Sequence, residues 1–111
     1  MDPFGRVRSI CAAFPDVSER NSHGEPGWFV RGKRQFAVGD NHHHNRDHLA
    51  FWCAAAPGAQ EILIAAEPHR YFRPPYVGHR GWIGVYLDVD VDWDAVAGLL
   101  AEAYQVVASK R

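Results

Sequence analysis

The sequence predicts an α+β domain in which three helices pack on a mainly antiparallel sheet. Three observations carry this: apolar stripes at helical spacing at both ends of the chain, short β-rich runs between them, and one Pro-opened apolar segment inside the β-rich region. The resulting order is a helix, several strands, a helix, two strands and a helix, which is the pattern of an antiparallel sheet with helices laid against it.

The first helix is expected near residues 3–14. Asp2 caps it, Pro3 suits its first turn, and Val7, Ile10, Cys11 and Phe14 form its apolar face before Pro15 ends it. Residues 28–31 and 34–38 read as a hairpin around Gly32-Lys33, with Gly at the first central position of a type II′ turn. That register sets Phe29 opposite Phe36, and Arg31 opposite Arg34. Residues 49–53 read as a buried strand and residues 57–66 as a short helix opened by Pro57. Residues 71–77 and 82–87 read as strands around Gly78-His79-Arg80-Gly81, the first irregular because of Pro74 and Pro75. A last helix is expected at 93–108, capped by Asp92, with Val96, Leu99, Leu100, Ala103 and Val107 in one stripe.

Composition narrows the function classes. With 111 residues the chain fits one domain spanning 1–111, and 47% hydrophobic against 23% charged residues excludes wholesale disorder. Twelve Lys+Arg against 13 Asp+Glu give a net charge of -1, unlike a histone-like binder, although a local basic patch stays open. The weakly polar stretch 49–59 is too short to cross a membrane and is broken by Pro57 and Gly58. The apolar run 10–14 is too short for the core of a signal peptide. The expectation is therefore a cytoplasmic monomer without a membrane partner, whose Cys11 and Cys53 stay as thiols.

The most distinctive segment is Pro74-Pro75-Tyr76-Val77-Gly78-His79-Arg80-Gly81-Trp82. Its glycines permit close backbone approach, Arg80 offers a planar fork to phosphate, and Tyr76 and Trp82 offer stacking faces. The same residues also fit a tight hairpin whose aromatics anchor it in the core. This run is similar to one in the YjbR/MmcQ family of small, uncharacterised bacterial proteins. His23-Gly24 ahead of Phe29-Val30-Arg31-Gly32-Lys33, Trp93-Asp94 at the start of the last helix, and Ala103-Tyr104 followed by Val107-Ala108 extend the resemblance over nearly the whole chain. The resemblance implies a fold like the CyaY (frataxin-like) architecture and a DNA-binding role described as a double wing. Two features depart from it: Phe51-Trp52-Cys53 stand where many members carry a Lys, and the total charge is slightly acidic.

On that implication Arg31, Lys33 and Arg34 on one hairpin tip and His79 and Arg80 on the other contact nucleic acid or another anion. The alternative is a protein- or small-ligand-binding module with Tyr71, Tyr76, Trp82 and Tyr86 around an aromatic groove. His42, His43 and His44 lack the spacing of a metal site, and the Asp88, Asp90, Asp92, Asp94 run has Trp93 and Leu99 where an EF-hand needs Gly and Glu. No metal and no cofactor is expected. No nucleophile elbow, phosphate loop or Cys-His signature is present, and His23 near Glu25 reads as a structural turn, so no catalytic residue is assigned and the protein is read as a non-enzyme.

Overall fold

A computed structural model describes residues 2–42 and 48–110. Among them, three α-helices and six strands follow the order α1 (Pro3–Ala12), β1 (Val17–Ser22), β2 (Glu25–Val30), β3 (Arg34–Asn41), β4 (Leu49–Cys53), α2 (Ala59–Ala66), β5 (Tyr71–Phe72), β6 (Ile83–Tyr86) and α3 (Trp93–Ala108). The strands form one antiparallel sheet ordered β1-β2-β3-β4-β6-β5. The α+β architecture with three helices on an antiparallel sheet is the one the sequence predicts.

Both end helices begin where their caps stand. Asp2 accepts from the Gly5 N–H at 2.8 Å, and Asp92 accepts from the Ala95 N–H at 3.1 Å, each satisfying a helix-start donor that has no partner within its helix. The α3 stripe is buried through Val96, Leu100, Ala103 and Val107, with Leu99 half-buried beside it. Val7 and Cys11 of α1 join that core, together with Trp28, Phe36, Phe51, Cys53 and Ile83 from the sheet. Alternation along β4 turns Phe51 and Cys53 toward the helices and Trp52 toward the opposite face.

Several expectations shift. β1 has no counterpart among the expected strands; it pairs with β2 through a two-residue reversal at His23-Gly24, whose φ values of 55° and 88° match a type I′ turn. The β2–β3 reversal centres on Arg31-Gly32, with φ of 53° and 68°, not on Gly32-Lys33. A register shift between Trp28 and Phe29 then sets Phe29 opposite Gln35, and Arg34 opposite Val30. Neither the Phe29–Phe36 pair nor the Arg31–Arg34 opposition forms. The reason is packing: the shift sends Phe36 into the helix-side core, edge-on to Phe14 and Tyr104, and leaves Phe29 on the other face under the Arg20 guanidinium, 3.9 Å away.

The remaining changes are at element ends. α1 stops at Ala12, and Phe14 lies beyond it, stacked on Tyr104 at 4.9 Å. α2 begins at Ala59, because Gly58 at φ 86° forms its entry. Strand structure after Tyr71–Phe72 ends before Pro74 and Pro75, which have no N–H to give a ladder. The Gly78-His79-Arg80 segment is a single 3-10 turn in a long loop, so the second hairpin tip is not a hairpin. Among the described residues, no helix is long and apolar enough to cross a membrane.

Candidate functional site

The loop over residues 73–82 divides two clefts. Its position is held from α2: Gln60, buried at 3% exposure, donates its amide to the Gly78 and Trp82 carbonyls. Arg73 Nη1 donates to Gln60 Oε1 at 3.4 Å. Gln60 gives no local sequence signal, because its partners lie 18 and 22 residues away. A Cβ at Gly78 would come within 2.7 Å of the Arg73 side chain, so Arg73 packs directly over this glycine.

On one side of the loop, a cleft of ≈ 440 Å³ runs to the end of α3. Arg73, His79, Arg80 and Lys110 line it, with Glu61 as a carboxylate on its wall. The side chains of all four basic residues are exposed, and the Arg80 guanidinium lies 5.6 Å from the Trp82 ring centre. The other predicted tip reaches the same region. Arg31 Nη2 donates to the Ala108 carbonyl at 3.2 Å, at the C-terminal end of α3 where a cation opposes the helix dipole favourably. Arg20 donates to the Gly32 carbonyl at 2.9 Å and adds a further cation beside exposed Lys33 and Arg34. The structure therefore brings Arg31 to the same helix end as His79 and Arg80, while Lys33 and Arg34 follow it in the chain as exposed residues.

Charge is segregated along α3. Its N-terminal approach carries exposed Asp88, Asp90, Asp92 and Asp94, and its C-terminal end carries Lys110 among the basic residues just described. Sixteen helical residues separate the ends by about 24 Å. At the acidic end, burial works to raise the Asp88 carboxyl. The His48 ring at 3.1 Å and the Leu49 N–H at 3.2 Å nonetheless hold it below the usual aspartate range.

On the other side of the loop lies a cleft of ≈ 450 Å³ on the sheet face away from α1 and α3. Ser22 and His23 come from the β1–β2 turn, Glu25 from the start of β2, Gln35 and Val38 from β3, and Trp52 from β4; Tyr76, Val77 and Trp82 close it. The predicted groove of four aromatics does not form. Tyr71 is buried in the core and Tyr86 stacks on Phe72 at 4.7 Å, leaving Tyr76 and Trp82 to share this cleft with Trp52. Sequence reasoning missed Trp52, whose place was visible only as alternation in a strand read as uniformly buried.

Neither cysteine shows catalytic character. Cys11 and Cys53 are free and buried; burial pushes the Cys11 thiol up to about 12 and raises that of Cys53 as well. Among the described residues, no three His, Cys, Asp or Glu side chains are placed to hold a metal ion. His43 and His44 lie outside the described residues, and His42 is exposed.

Comparison with known proteins agrees with this architecture. The crystal structure of Deinococcus radiodurans protein DR2400, which carries the DUF419 family-model domain, superposes with a TM-score of 0.84 at 24% identity, covering 99% of this chain and 81% of that one. No curated protein matches the chain. The YjbR family model matches residues 12–106, from the end of α1 to the last turns of α3, and the chain belongs to the YjbR family.

Proposed function

We propose that this is a non-enzymatic domain that binds nucleic acid weakly through the basic face at the C-terminal end of α3. The observation that carries the reading is the meeting there of the Arg31 turn with the cleft lined by His79, Arg80 and Lys110, while the carboxylates of residues 88–94 lie at the far end of the helix. A net charge of -1 leaves room for a local basic patch, and phosphate contacts depend on that patch. Exposed cations on turns suit a duplex backbone, which requires charge more than a fixed groove-reading helix. The burial of both thiols supports a binding role over nucleophilic catalysis, and free thiols suit a reducing, cytoplasmic compartment. Ile62 and Tyr76 are the exposed large hydrophobics among the described residues, which supports a monomer.

The test is fluorescence anisotropy of a labelled duplex across a salt series. We expect a Kd of about 10⁻⁴–10⁻⁶ M near physiological salt. Lys33→Ala with Arg80→Ala should lower the salt slope by nearly two, at about 0.9 per phosphate contact, with unchanged thermal stability. Arg31 is a poor choice for this experiment because it also caps α3. No binding at low salt, or equal slopes for the two proteins, overturns the proposal.

A further inference from the structure

The cleft between the 73–82 loop and the end of α3 joins a cluster of cations to an apolar wall. Arg73, His79, Arg80 and Lys110 supply the charge, and Ala55, Pro57, Trp82 and Val106 supply apolar surface. Among the described residues, none of the four basic side chains is in an ion pair. Two of them are nonetheless held in place. Arg73 packs its stem over Gly78 and donates to Gln60 Oε1 at 3.4 Å, and the Arg80 guanidinium lies 5.6 Å from the Trp82 ring centre. Side chains ordered beforehand lose less freedom when an anion binds. The start of α2 borders the cleft through Pro57 and Glu61 and has no side-chain cap, so its first N–H groups add positive potential. The α3 carbonyls of residues 105–108 already accept hydrogen bonds, which reduces the negative potential of that helix end.

We infer that this cleft holds a phosphate monoester on an apolar body, the chemistry shared by a free nucleoside monophosphate and a 5′-phosphorylated strand end. The choice of a nucleotide rests on the nucleic-acid reading above; the choice of a monoester rests on charge and shape. With His79 counted as neutral, Arg73, Arg80 and Lys110 against Glu61 leave a net charge of +2. A terminal phosphate monoester carries a charge of about -1.5 to -2 at pH 7, whereas an internal phosphodiester carries one. Arginine forks match phosphate oxygens in pairs, and the apolar wall takes the sugar or base. At ≈ 440 Å³ the cleft is within the size range of small-molecule sites, so a nucleotide or a strand end enters where a duplex does not.

Calorimetric titrations of the whole chain with AMP, adenosine and inorganic phosphate test this. AMP should saturate, with adenosine and inorganic phosphate each at least about tenfold weaker, since one lacks the charge and the other the apolar body. A short single strand with and without a 5′-phosphate separates the two sources. Tighter binding of the phosphorylated strand identifies a strand end, and an AMP preference without it identifies a free nucleotide. Arg73→Gln and Arg80→Ala should each weaken AMP about three- to thirtyfold, and Glu61→Gln should strengthen it about threefold, in variants shown by melting to be folded. No gain from the phosphate on either adenosine or the strand overturns the inference. So does inorganic phosphate binding as tightly as AMP, or unchanged AMP affinity in both arginine variants. An unphosphorylated duplex titrated in the same buffer keeps the two readings apart. Its failure to bind while AMP binds overturns only the duplex proposal, and its binding without any phosphate-monoester preference overturns only this site.

Discussion

Glu19 joins three parts of the molecule through one carboxylate. Arg8 of α1 donates to it through Nε at 2.7 Å and Nη2 at 3.0 Å, and the Trp28 indole N–H reaches its Oε1 at 3.1 Å. The hydrogen bond from Arg8 leads in holding the Glu19 carboxyl below the usual glutamate range, and it raises Arg8 in turn. A carboxyl with a depressed folded value stabilises the fold above its unfolded value, and that stability is lost as pH falls through the folded one. Glu19→Gln should therefore cost stability at neutral pH and progressively less as acid protonates the wild-type carboxylate. Because the pair is half-exposed and screened by water, the cost is about 0.2–1 kcal/mol, read as a shift in urea midpoint at pH 7 and pH 3. The cysteines give a second test at this scale. With Cys11 pushed up to about 12 and Cys53 raised by complete burial, the native protein should resist alkylation at about pH 8, and both thiols should react in denaturant. Local contacts such as the Asp2 and Asp92 caps were legible in sequence, since each acts three residues along the chain. The Arg31 bond to Ala108 was not, because 77 residues separate the partners.

Among the elements, β6 is the most tightly constrained. Gly84 stands opposite Trp52 of β4 and Phe72 of β5, and a Cβ there would run into the Phe72 ring. Gly84→Ala should cost about 1–3 kcal/mol through displacement of that ring, seen as a lower urea midpoint with little change in slope. The β2–β3 reversal makes a different prediction. Arg31→Ala removes a cation from the C-terminal end of α3 and should cost about 0.3–1 kcal/mol, whereas Lys33→Ala should stay within about 0.5 kcal/mol of wild type. Strand existence was readable where β-branched and aromatic residues cluster, as in β3 and β4. β1 escaped because Val17-Ser18-Glu19-Arg20-Asn21-Ser22 is polar and mostly exposed; its place comes from hydrogen bonds to β2, which no side-chain pattern reports. The hairpin register failed for a related reason: turn chemistry permitted either centre, and the burial of Phe36 between Phe14 and Tyr104 selected one.

At the scale of the whole molecule, the distribution of charge matters more than its sum. Although the net charge is -1, α3 carries Asp92 and Asp94 at its start and Lys110 just past its end, beside Arg31. DNA association should accordingly weaken steeply with salt, despite the near-neutral total. Composition, helical stripes and capping residues were enough to establish an α+β domain with helices at both ends, because hydrophobic periodicity and caps act over a few residues. The Gly78-His79-Arg80-Gly81-Trp82 run likewise stands out in the sequence as its most distinctive segment. Tertiary structure alone decided that this run is a 3-10 turn pinned by Gln60, that it stands with Arg31 at one helix end, and that Glu25 and Trp52 share a cleft with Tyr76. Those relations join residues far apart in the chain, and only the closing of the sheet and the packing of α2 and α3 bring them together.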